Sequence, residues 1–158
     1  LVVTGNTGKA LDEIRKTLHG KNAGTGPVDE VGTVLYNRGL VSAALAVEGM
    51  RQAQERYGKG KVMNGDQLRW GLENLSLDAK KIEALGLTGL LRPISTSCAD
   101  HEGSRSARIH TWDGKKWQFT TDWIEADTSI IKPLVKAYAE KYAAEKKLAP
   151  RTPADCQS

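Results

Sequence analysis

No stretch of this chain approaches the roughly 18–20 consecutive apolar residues that a membrane-crossing helix needs. No basic segment leading into an apolar one opens it, so the sequence itself shows no signal peptide. Cysteine is scarce: Cys98 and Cys156 are the two in 158 residues. Two readings are open, one disulfide in an oxidising compartment or two free thiols in a reducing one. A bridge would close a loop of about 58 residues and contribute about 4 kcal/mol in the chain-entropy model. Cys156 lies in a polar tail after Pro150 and Pro153, a poor place for a core thiol, and this favours the bridge. Internal repeats and low-complexity segments are also lacking.

The signatures of several common chemistries are missing as well. GNTGK at 5–9 lacks the Gly-Lys-Ser/Thr ending of a phosphate loop. Cys98, Asp100, His101, Glu102 and His110 fall within thirteen residues, but at spacings that match no common zinc pattern. No metal and no cofactor are expected. Ser97 or Cys98 with His101 could form a nucleophile–base pair, yet a third orienting group and oxyanion donors are not in view. There is no Gly-x-Ser-x-Gly elbow. The plainer reading is a polar turn in which Asp100 and His101 bond nearby backbone groups. An enzyme is not expected.

Hydrophobic residues make up 39% and charged residues 27%, which suits a globular chain with one real core. The net charge is +4. Its lysines are spread over helix faces and interleaved with acids. A nucleic-acid module concentrates them in one stripe, so no nucleic-acid partner is expected.

Apolar spacing predicts a helix over 9–19, ended by Gly20, and a Gly- and Asn-rich loop over 20–33. The strongest helix signal runs over 39–57. Its first half is nearly all small and apolar and is expected to be buried. Asn64-Gly65-Asp66 offers caps for a helix over 66–75, with Leu68, Leu72 and Leu75 on one face. A short helix runs from Leu77-Asp78 to Leu85, and Leu90, Leu91 and Ile94 give an extended run broken by Pro93. Asp113-Gly114 separates SARIHTW from KKWQFTTDW and predicts a tight hairpin turn. Trp112, Trp117 and Trp123 flank it, as cross-strand packing or as a stacking surface. A last amphipathic helix covers 129–147, with Pro133 in its first turn. Trp70 is expected to pack. The class is α/β, with too few strands for the helices to cover. Together with a β-type start at 1–4, this suggests a piece of a longer protein.

Tyr36-Asn37-Arg38 precedes the strong helix. These side chains could line a cleft and hold a carboxylate. Alternatively Tyr36 packs in the core and Asn37 caps the helix.

The runs VGTVLYNRGLVSAALAVEGMRQA, SCADHEG, WDGKKWQFTTDW and PLVKAYAEKYAAEKKLAPR, in that order, resemble the C-terminal part of type I periplasmic solute-binding proteins of ABC importers. The similar members bind branched-chain amino acids, aromatic acids and amides. The resemblance implies a two-lobed α/β fold closing by hinge motion. Residues 5–105 would belong to the first lobe. Residues 106–158 (hairpin, last helix and tail) would belong to the second, with the N-terminal remainder of both lobes missing. It implies capture of a small carboxylate-bearing solute and delivery to an inner-membrane ABC permease, in the periplasm. A ligand-sensing or interaction domain on the same fold is the alternative, then a hydrolase. Thr33, Tyr36 and Arg38 would contact the ligand, and a Cys98–Cys156 bridge would fit an exported location. Apolar surface would be exposed where the missing part packs.

Overall fold

A computed structural model describes residues 8–149 and 151–156. The β-type start at 1–4 and all but the end of GNTGK lie outside the described residues. The chain is mixed helix and sheet and divides into two compact units, Leu1–Ser104 and Arg105–Ser158.

In the first unit α1 (Lys9–Thr17) is followed by a 3-10 turn at His19–Lys21, so it ends two residues early. The 20–33 loop holds another such turn at Val28–Glu30. The long helix α2 spans Val34–Tyr57 and starts five residues before the expected position. Tyr36, Asn37 and Arg38 therefore lie inside it. Its small, apolar first half is not generally buried. Val41, Glu48, Gly49 and Ala53 face inward, while Val47 and Met50 are exposed.

The helix α3 (Gly65–Glu73) begins with a reciprocal capping box. Asn64 Oδ1 accepts from the Gln67 N–H at 2.9 Å, and Gln67 Oε1 accepts from the Asn64 N–H at 3.1 Å. It packs on α2 through glycines. A methyl group at Gly71 would lie 2.0 Å from the Gly49 carbonyl oxygen, so the two backbones are in contact. Leu72 is partly exposed, unlike the inward stripe expected for it.

A strand β1 (Ser76–Leu77), not expected from the sequence, pairs antiparallel with β2 (Ile94–Ser95). Between them lies α4 (Ala79–Ala84), capped by Asp78, whose Oδ1 accepts from the Lys81 N–H at 2.8 Å. Gly86, at φ 71°, turns the chain out of this helix. Leu11, Val31, Val41, Leu77, Ile82, Leu87, Leu90, Leu91 and Ile94 form the core, with Leu11 fully buried.

The second unit has two two-stranded ladders. β3 (Ser106–Ala107) pairs with β6 (Ile124–Glu125), and β4 (His110–Trp112) with β5 (Trp117–Phe119). The turn is longer than a two-residue Asp-Gly turn. Trp112 faces Trp117 across it, and the Asp113 N–H donates to the Lys116 carbonyl at 3.1 Å. Asp113 Oδ1 accepts from the Lys115 and Lys116 N–H groups, both at 2.9 Å, while Gly114 takes φ 97°. The aspartate side chain thus satisfies the extra backbone donors of the wider loop.

The last helix, α5, runs over Thr128–Lys146. Its start places Pro133 in the second turn, not the first, where it removes one backbone bond. A 3-10 turn at Pro153–Cys156 follows in the tail.

Candidate functional site

The residues singled out for ligand contact gather at the start of α2. Thr33 is its N-cap, with extended backbone (φ −65°, ψ 163°). Its N–H donates to the Glu30 carbonyl at 3.0 Å, which brings the Val28–Glu30 turn against the helix. Glu30, Thr33, Val34, Leu35 and Tyr36 line a half-open depression of about 400 Å³. Arg38 is exposed and does not line it.

The structure therefore joins Thr33 to Tyr36 and leaves Arg38 out. The lining has a carboxylate, Glu30, and no cation. First-turn N–H groups attract a negative guest and Glu30 repels it, so this depression is poorly suited to a carboxylate. Asn37 is not the cap. It is fully buried, and its Nδ2 donates back to the Gly32 carbonyl at 3.1 Å, which ties the loop to the helix.

Around Cys98 the chain makes a tight turn. Ser97 and Asp100 exchange backbone bonds of 2.8 and 3.1 Å. Asp100 Oδ1 accepts from the Glu102 N–H at 3.1 Å, a local backbone bond of the kind expected there. His101 instead reaches across to α3, with Nε2 3.2 Å from the Glu73 carboxylate. Glu73 is only 5% exposed. Glu48, also buried, meets Arg51 at 3.2 Å. Sequence reasoning missed both buried acids. The available signal was a lone acid within an apolar helical run, as in AALAVEGM. Both Cys98 and Cys156 are disulfide-bonded. Among the described residues no group of three or more His, Cys, Asp or Glu is placed to hold a metal.

In the second unit the pleat puts side chains two apart on one face. Trp112 and Trp117 pair across the strands with ring centroids 5.7 Å apart, and His110 lies 3.8 Å from Phe119. The Arg108 guanidinium sits 3.2 Å from the Phe119 centroid and 4.6 Å from that of Trp123. In the first unit Trp70 packs edge-on to Tyr57 at 5.8 Å, with Arg56 over it.

Two exposed acids have lowered pKa values. Asp113 is held down by the Lys116 N–H, then by the Gln118 side chain and the Lys115 N–H. Asp127, the cap of α5, is held down by the Ser129 hydroxyl and N–H. Both are structural: hydrogen bonds to the charged form fix a turn and a helix start.

No family model and no curated protein matches the chain. A crystal structure described as that of an ABC transporter permease, from the Pseudomonas fluorescens group, does. It is 37% identical with a TM-score of 0.89, and the match covers 96% of this chain and 37% of that one. The chain thus spans little more than a third of the length of the protein it matches.

This match corrects the reading drawn from the motif order. The matched protein is described as a permease and not as a periplasmic solute-binding protein. The solute-capture role, the delivery to a separate permease and the periplasmic location fall with that reading. The physical reason is that the motifs follow the backbone: a cap, a turn, a helix face. Such features report a fold segment and not its duty within a transport system.

Proposed function

We propose that this chain is part of the permease-type component of an ABC transport system. The observation that carries the reading is the likeness to the Pseudomonas permease, at 37% identity over 96% of this chain. No helix among the described residues is long and apolar enough to cross a membrane. In this reading these residues serve a part outside the bilayer, and other polypeptide makes the crossing. The role is transport and not catalysis, and the partners are the other subunits of the ABC system.

Fractionation of the source cells tests this. Antibody against the chain should detect it in the membrane fraction, resistant to alkaline extraction and co-purifying with an ABC ATPase subunit after detergent solubilisation. Quantitative release by osmotic shock, with none left in the membrane, would overturn it.

A further inference from the structure

The second unit carries an apolar helix face with nothing over it. On α5, Ile131, Leu134, Val135, Tyr138 and Tyr142 recur at helical spacing and form one stripe about 100° wide. All are exposed, Leu134 at 56% and Tyr138 at 71%. The opposite face is polar, with a Lys136–Glu140 pair at 3.8 Å. No residue of α5 is buried.

The strands of the same unit pair only in twos, and two-stranded ladders are marginal alone in water. Trp112, Trp117 and Phe119 remain exposed. All the hydrophobic core residues among those described lie in the first unit.

We infer that the α5 stripe is a docking face for further strands of a longer polypeptide, equivalent to the part of the Pseudomonas protein that this chain does not span. Two observations select this occupant. Nearly two thirds of the matched chain has no counterpart here, while nearly all of this chain is matched. The ladders of the same unit are also two-stranded, and further strands would extend them. A lipid surface would cover the stripe but cannot pair a strand edge. The inference rests on the structural likeness together with the exposed stripe and the two-stranded ladders, and it holds whichever transport role is correct.

The test compares two proteins. One is the 158-residue chain itself. The other is a chimera in which this chain replaces the matched segment of the Pseudomonas protein. Hydroxyl-radical footprinting should label Leu134, Tyr138 and Tyr142 strongly in the chain alone and severalfold less in the chimera. Leu134→Asp should leave thermal unfolding of the chain alone unchanged and sharply lower the yield of folded chimera.

Equal labelling in both proteins would overturn the inference, as would a chimera that does not fold. So would protection in the chain alone that grows with its own concentration, which would mean a second copy. Protection that requires anionic vesicles would mean a lipid surface and would also overturn it. Failure of the transport reading would change the fractionation result and leave this footprint as it is.

Discussion

The crossing of α2 and α3 offers the sharpest test of how this chain packs. In Gly71→Ala the new methyl carbon would sit 2.0 Å from the Gly49 carbonyl oxygen and 3.1 Å from Ala53 Cβ. A carbon–oxygen contact needs about 3.3 Å, so the helices must part by roughly 1.3 Å. The obstacle is backbone inside a helix and cannot swing aside. Overpacking of this kind costs about 1–3 kcal/mol, and a rigid neighbour puts it at the upper end. Alanine returns at most about 1 kcal/mol of helix propensity. The net expectation is a loss of about 2 kcal/mol, or a Tm lower by roughly 4–8 °C for a chain of this size. Gly39→Ala is the control, because it lies in α2 with nothing within 4 Å of the added carbon. It should be neutral or stabilise by up to about 1 kcal/mol. Thermal unfolding followed by circular dichroism reads both. If Gly71→Ala melts with the wild type or above it, the close crossing is wrong.

Asn37→Ala should cost about 1–3 kcal/mol, because it removes a buried bond to Gly32 and leaves that carbonyl in need of a partner; urea unfolding would show a lower midpoint with an unchanged slope. Asp127 has its folded pKa held below the usual 3.8, so its support of α5 is fully present above its unfolded pKa and fades as pH falls through the folded one. Protection of the amides at the start of α5, taken relative to the intrinsic exchange rate at each pH, should therefore fall as pH drops below the ordinary aspartate value of 3.8, and Asp127→Asn should flatten that dependence. The disulfide should leave no thiol open to alkylation until a reductant is added. Cys98→Ser should then lower stability by about 4 kcal/mol if strain is small, and a fully alkylated native protein would refute the bridge.

Local chemistry was readable where it acts over a few residues. Asn64 with Gln67, and Asp78 with Lys81, are caps whose partners lie three positions on, and the structure shows them formed. The hairpin was readable from Asp113-Gly114, but its length was not, because the Asp113 side chain stabilises a wider loop. The start of α2 was misplaced for a similar reason. Thr33 is a permitted cap, yet the loop before it carries no clear stop, so the sequence pattern places Tyr36, Asn37 and Arg38 before the helix and the structure places them inside it. That shift by more than a turn is what removes Arg38 from the depression. The functional reading failed at another level. Short motifs kept their order in the structure, but they carry no information about a protein's place in a transport system.

The sequence by itself determined which segments are helical, which residues cap α3 and that α5 is amphipathic, since each depends on neighbours within one or two turns. Only the tertiary structure decided that Gly49 and Gly71 are packing residues. A glycine inside a helical pattern looks like a weakness until a second backbone is seen against it. It alone placed Glu48 and Glu73 inside, beside Arg51 and His101, and left α5 uncovered. Burial is a property of what lies opposite a residue, and distant chain supplies that.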